Sequence, residues 1–449
     1  MLCRDTSGWL LGALALSVGV WATGCDDSPA PSSDAAAPAD LGVEADLPPP
    51  PEDVPHDGGP GPYDAGSPPV CGLAPRFAPL AARAPGYTTV EPGAIAPYRM
   101  GFVVAWRESA PRIPLGDAAP PQRDAVVVAA VGTDGTTLRS RSAVVESASE
   151  GTDLGTPEAV PFGAEGAAVI FGDTLGLPGE SRFRTRIRAF PVDRDGAPGD
   201  AVLVADDHGS PFAAALPGGV PMVLASRVLE TLDGGVVIAR PVSFRLSPSL
   251  VRDPPLGRDL TGTVPLEAES VQFGAAPDGA ALVYRAGDQV RVTRFDRDGV
   301  VNPRVAITRE VNPPRIEAAA ATDEAAVLAW TDTVNGMSTV TAAVVGDDNR
   351  LRLRQELDRF VGPTRVAAAA AHGGVALVWT RGTAEAATLR GVVVQPNGIV
   401  RGAPRDLVSV PGAEGRVVVQ VTGRSLRFAL RARGADGVSL GFGQVCLPE

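Results

Sequence analysis

The residues of this 449-residue chain with the most chemistry to offer are four cysteines, three histidines, one dense arginine stripe and two acidic turns. A cysteine can carry lipid, bridge to a second cysteine or ligate a metal, and the four stand at Cys3, Cys25, Cys71 and Cys446. The stripe Arg182, Arg184, Arg186 and Arg188 alternates with Phe183, Thr185, Ile187 and Ala189, so a strand would carry four guanidinium groups on one face. Such a face can bind an anionic glycan or a phosphate, or it can be a solvated outer face that discourages edge pairing. The Asp-x-Asp-Gly turns at 193–196 and 296–299 invite a calcium reading. EF-hand-type calcium loops need about five or more oxygen ligands ending in a bidentate acid. Neither turn supplies that series, so turn chemistry is expected and no metal or cofactor is. No catalytic residues are assigned: nucleophile elbow, His-Glu-x-x-His helix and phosphate loop are all missing. Of the histidines, His56 lies in a Pro-rich stretch, while His208 and His372 fall at expected turns.

The elements that position these residues begin with an export signal over 1–24. Arg4 stands before an apolar run from Trp9 to Trp21, followed by Ala22, Thr23 and Gly24. Ala-Thr-Gly-Cys resembles the lipobox of bacterial lipoproteins, which implies lipid on Cys25, a membrane partner held through that lipid, and a cell-envelope location on the periplasmic face or the outer membrane. Residues 25–70 follow as a tether predicted to be disordered. Beyond Cys25 it holds 12 Pro and 10 acids with no Arg, too little apolar surface to offset the entropy of ordering. Its reach spans roughly 35 Å as a coil to roughly 140 Å as extended polyproline. The tether also supplies −10 of the net charge of −12, which leaves residues 71–449 close to neutral. A nucleic-acid partner is not expected of so balanced a charge. Outside the cytoplasm, Cys71 and Cys446, at the two edges of the remaining domain, are expected to form a disulfide.

Residues 71–449 carry a repeat. Ala-Leu-Val-Tyr (281–284), Val-Leu-Ala-Trp (327–330) and Ala-Leu-Val-Trp (376–379) recur 46 and 49 residues apart, with earlier relatives at 103–106, 168–171 and 222–225. Each is preceded by small residues and followed by an alternating strand and a tight turn such as Thr133-Asp134-Gly135, Asp347-Asp348-Asn349 or Pro396-Asn397-Gly398. The unit is four antiparallel strands, the size of a propeller blade. Six units start near 95, 160, 210, 268, 314 and 364, and a seventh over 415–446 has three strands. The fold expected is an all-β, seven-bladed β-propeller whose last blade is closed by an N-terminal strand around 71–82. That closure also brings Cys71 beside Cys446. In this register the runs Ala318–Ala321 and Ala367–Ala371 become innermost strands despite strong helix propensity, and Trp106, Trp330 and Trp379 become core residues between blades.

Val-Leu-Ala-Trp-Thr-Asp followed by Val-Thr-Ala-Ala-Val-Val-Gly-Asp-Asp-Asn resembles repeats of secreted β-propeller proteins of myxobacteria and their relatives. The resemblance implies the propeller fold and an extracytoplasmic setting, and no activity. The expected function is therefore a monomeric, non-enzymatic binding or scaffold module that meets a protein or a surface polymer through one face. The alternative is a carbohydrate-active propeller enzyme working through carboxylates at the channel mouth.

Overall fold

The computed structural model describes residues 75–110, 124–147, 152–176, 183–231, 237–265, 268–311, 313–434 and 437–447. The expected signal and tether, with Cys25, Cys71 and Arg182, lie outside the described residues. The strands form seven antiparallel sheets, arranged as the blades of a seven-bladed β-propeller. The innermost strands of blades 1 to 7 are Thr89–Tyr98, Glu158–Phe162, His208–Leu216, Glu269–Ala276, Ala318–Ala321, Val366–Ala371 and Ala413–Thr422. Each packs against the next, and the last returns to the first, so the ring is closed.

Blade 7 is completed as expected. Ala413–Thr422, Ser425–Gly434 and Gly437–Cys446 are joined at the outer edge by Arg76–Ala82, antiparallel to Gly437–Cys446. The register places Phe77 and Phe428 on either side of Gly443, and the two rings stack across it at 5.9 Å. A glycine between two aromatic rings leaves room for both to cover the bare backbone.

The core is divided. Seven hydrophobic clusters occur, one at each junction between neighbouring blades. The repeated apolar tetrapeptide is the second strand of each blade, buried on both faces, so it reads as a continuous apolar run instead of an alternating one. Trp106, Trp330 and Trp379 are buried in the junctions between blades 7 and 1, 4 and 5, and 5 and 6. Ala318–Ala321 and Val366–Ala371 are strands: near the axis only small side chains fit, and tertiary crowding overrides helix propensity. Blade 2 departs from the regular unit, since Thr152–Leu154 and Glu158–Phe162 both pair with Gly166–Gly176 and interrupt the inner strand.

A side chain at Gly443 has nowhere to go, because an added Cβ would lie against the Phe428 ring and 2.6 Å from the Arg76 carbonyl oxygen. Gly443→Ala is expected to destabilise the protein by about 1–3 kcal/mol, as overpacking does. Urea unfolding checks this, and an unchanged midpoint would show that the closing strand carries no share of the stability.

Candidate functional site

Antiparallel order makes all seven inner strands run the same way, so their first residues gather at one mouth of the central channel. Glutamates cluster there: Glu91, Glu158, Glu269 and Glu414 lie near the starts of inner strands, and Glu317 immediately precedes one. In three blades an arginine on the second strand stands directly opposite: Glu91 faces Arg107, Glu269 faces Arg285 and Glu414 faces Arg431. All three couples form ion pairs, at 3.0 Å for Glu91–Arg107 and 2.8 Å for Glu414–Arg431. Arg433 adds a second contact to Glu414 at 2.7 Å, and the hydrogen bonds from Arg433 and then Arg431 hold that carboxyl below the usual carboxylate range. Glu317 is bound by Arg365 of the next blade at 3.0 Å and by the Thr331 hydroxyl at 2.7 Å.

Glu158 is the exception. It makes no ion pair or hydrogen bond among the described residues, and the charge that acts on it is Arg416. Arg416 belongs to the inner strand of blade 7 and Glu158 to that of blade 2, with blade 1 between them, so the closed ring brings the two within electrostatic reach. Burial pushes the Glu158 carboxyl up to about 7, and Arg416 pulls against that rise. The residue is partly buried at the start of its strand, and its carboxyl lies where the charged form is poorly solvated. Near neutral pH it can therefore act either as an acid donor or as a carboxylate acceptor.

Behind the rim lies a buried layer of charge. Glu108 is fully buried and accepts the Trp106 indole N–H at 3.0 Å, two N–H groups of Arg141 at 3.0 and 2.7 Å, and the Ala84 amide. In the same manner Asp358 accepts from Trp379 and Arg390, at 3.0 and 3.2 Å, and Asp332 accepts from Trp330 at 3.1 Å. The tryptophans are thus core residues, with the one polar atom of each satisfied by an acid.

The described part of the arginine stripe is engaged with acids of its own blade. Arg184 binds Asp206 at 2.8 Å; Arg186 binds buried Asp173, and Arg188 approaches the same carboxylate at 3.8 Å while lying over the Phe171 ring. In the two Asp-x-Asp-Gly turns, Asp193 and Asp296 each accept two backbone N–H groups within their own loop at 2.8–2.9 Å, which is the bonding of an Asx turn. His372 lies in a turn, whereas His208 is buried at the start of a strand. Cys446 ends the third strand of blade 7 and bridges to no described residue.

No known protein-family profile matches the sequence, and no curated protein matches it. Among solved structures, the chain is similar to an ulvan lyase bound to its polysaccharide, with 9% identity, a TM-score of 0.44, and coverage of 80% of this chain and 95% of that one. The endosialidase of phage phi92 gives 9% identity, a TM-score of 0.38, and coverage of 84% and 69%. An α-L-arabinofuranosidase from Fusarium graminearum gives 13%, 0.38, and 82% and 95%.

The raised carboxyl of Glu158 has a defined effect on stability. In the unfolded chain the group titrates near its ordinary 4.5 and in the fold near 7, so its contribution is full below 4.5 and is lost as pH rises through 7. At about pH 8 the charged form costs on the order of 3 kcal/mol. Glu158→Gln should therefore be more stable than the parent at about pH 8 and equal to it at about pH 4, as read by urea unfolding. A difference that does not change with pH would show that Glu158 is solvated like an ordinary surface acid.

Proposed function

We propose that this protein is a lipid-anchored, extracytoplasmic binding module that presents the Glu-rich mouth of its propeller to a partner protein or a surface polymer and performs no reaction on it. The observation that carries this reading is the pairing at that mouth. Four of the five rim glutamates are bound to arginines, so they serve to hold the blades. Glycoside hydrolysis needs two carboxyl groups about 5 to 9.5 Å apart, each available for its own step. Glu158 has only a cation, Arg416, acting on it. A charged rim held in place by its own ion pairs suits docking at the rim better than capture of a small ligand in a pocket.

The anchor and the bridge belong to the same proposal. Ala22-Thr23-Gly24-Cys25 supports lipidation, and the acidic tether supports a domain held clear of the bilayer. The closing strand runs antiparallel to Gly437–Cys446 with Arg76 opposite Gln444, two residues before Cys446. A Cys71–Cys446 disulfide would then clamp the ring where it is closed without a covalent loop.

A second reading has one observation behind it. A carboxyl that titrates near 7 within electrostatic reach of an arginine is suited to general acid catalysis on an anionic sugar.

Mass spectrometry of the protein purified from membranes should find a diacylglyceryl group on an N-terminal Cys25 and a peptide bridging Cys71 to Cys446. Cys25→Ser should leave the protein in the soluble fraction. A free Cys446 thiol would remove the clamp, and membrane association in Cys25→Ser would remove the anchor. Incubation with uronate-containing and neutral polysaccharides should release no product; product formation lost in Glu158→Gln would instead establish the enzyme.

A further inference from the structure

The junction between blades 2 and 3 holds cationic groups that neither the rim nor the turns use. His208 opens the inner strand of blade 3, is 2% exposed, and stands opposite Arg227 of the second strand, Val220–Thr231. Its ring packs edge-on against Phe244 at 6.1 Å. The Arg252 guanidinium, from the start of the outer strand Arg252–Asp259, lies 5.9 Å from the centre of the same Phe244 ring. Arg252, over the Phe244 ring, and Arg227, opposite the His208 that packs on the same ring, thus flank one place and act on each other electrostatically. Among the described residues neither forms an ion pair or a hydrogen bond. Of the nearby acids, Asp206 binds Arg184 at 2.8 Å through one carboxylate oxygen and reaches Arg252 only electrostatically, and Asp207 lies 3.9 Å from Arg184.

His208 adds a buried polar atom aimed into this place. Its Nδ1 is bonded to the Asp206 carbonyl, which can only accept, so Nδ1 carries the hydrogen. Nε2 is buried with no partner. An unmet buried polar atom costs about 1–3 kcal/mol, and two unneutralised guanidiniums beside it repel each other. Burial pushes the Arg252 guanidinium below its ordinary range and Arg227 adds to the effect. His208 is likewise lowered by burial first and then by Arg252 and Arg227, against the bond to Asp206.

We propose that this junction is an oxyanion site, in which Arg227 and Arg252 hold a phosphate or sulfate group and His208 Nε2 makes the third contact. Two guanidinium forks converging from different strands match the edges of a tetrahedral oxyanion. The neutral imidazole offers Nε2 as an acceptor, which monohydrogen phosphate can meet with its own P–OH. Sulfate has no hydrogen to give and needs the ring protonated. The charged groups around His208 are Arg227, Arg252, Asp206 and Asp207. A bound sulfate offsets the two arginines and raises the His208 pKa, so sulfate binding takes up a proton and strengthens as pH falls.

The test is titration of the full chain with inorganic sulfate and inorganic phosphate in a low-anion buffer, followed by calorimetry and by the thermal midpoint. Saturable binding of either anion that raises the midpoint is expected, with sulfate affinity rising from about pH 8 to about pH 6. Arg252→Gln and, separately, Arg227→Gln should each weaken binding about tenfold or more, as loss of a charge-assisted contact does. Neither should lower the midpoint without anion, because each relieves a repulsion. Arg184→Gln, which removes a cation already paired, should leave affinity unchanged. Dextran sulfate against dextran distinguishes an ester on a polymer, which would bind more tightly than the free ion, from a free-anion site, which would not. Absence of saturable binding, equal affinity in the Arg252→Gln and Arg227→Gln variants, or an equal loss in Arg184→Gln would each overturn the site.

Discussion

Everything in this molecule depends on the closing of a ring that has no single core. Its apolar residues are shared out among seven junctions, and each junction needs both of its blades in place. An open ring would leave two blade faces wet, and buried apolar surface contributes roughly 25 cal/mol per Å². That is why the chain gives up its first described strand, Arg76–Ala82, to its last blade. The strand does more than fill a gap: Phe77 crosses Gly443 to stack on Phe428, and Arg427 of the neighbouring strand lies 3.7 Å from the Phe102 ring of blade 1. The seam between the chain ends is thus tied both along the sheet and across the junction.

The same geometry decides where charge can go. Near the axis the blades crowd, and the inner strands of blades 5 and 6, Ala318–Ala321 and Val366–Ala371, are built almost wholly of Ala. At the end where the inner strands begin, glutamates meet arginines from the second strands and sew each blade to itself. Glu317 with Arg365 sews one blade to the next. Such pairs are partly buried, where removing one partner costs far more than the pair itself contributes. They are therefore best understood as fixing register at the rim, and this frees the rest of the junction to be apolar.

The fold was legible because its signals are local. Apolar tetrapeptides ending in an aromatic residue mark the second strands, and Asp-Gly or Asn-Gly turns mark the third hairpin; Asn349, Gly398 and Gly135 adopt the positive φ those turns require. Even the three-stranded last blade pointed to its missing partner. The charges were not legible in this way, because their meaning depends on neighbours distant in sequence. Arg186 and Arg188 read as one face of a stripe, yet the carboxylate they share, Asp173, comes from the preceding strand and is buried. His208 read as a turn residue because Asp206, Asp207 and Gly209 surround it, whereas the chain bends at Asp207 and sends the imidazole inward. Nothing near Glu158 announces Arg416, which only the closed ring brings within electrostatic reach.

Pairing separates the structural charges from the rest. Where a blade needs a charge for its own architecture, the partner lies within one or two strands, as in Glu108 with Arg141 and Glu414 with Arg431 and Arg433, and Asp358 with Arg390 joins one blade to the next. A folded chain that satisfies so many half-buried ions has no stability reason to leave others unmet, since each such group weakens a marginal balance. Glu158 in the channel and the arginines beside His208 depart from that rule in opposite senses, one an acid facing a cation at a distance, the other two cations facing each other. Glu158 lies in blade 2 and His208 at its junction with blade 3, and among the described residues blade 2 is the one whose inner strand is interrupted by a second short strand. An irregular blade in an otherwise repeating ring is where a repeat protein can hold unpaired chemistry without disturbing the junctions that keep it closed.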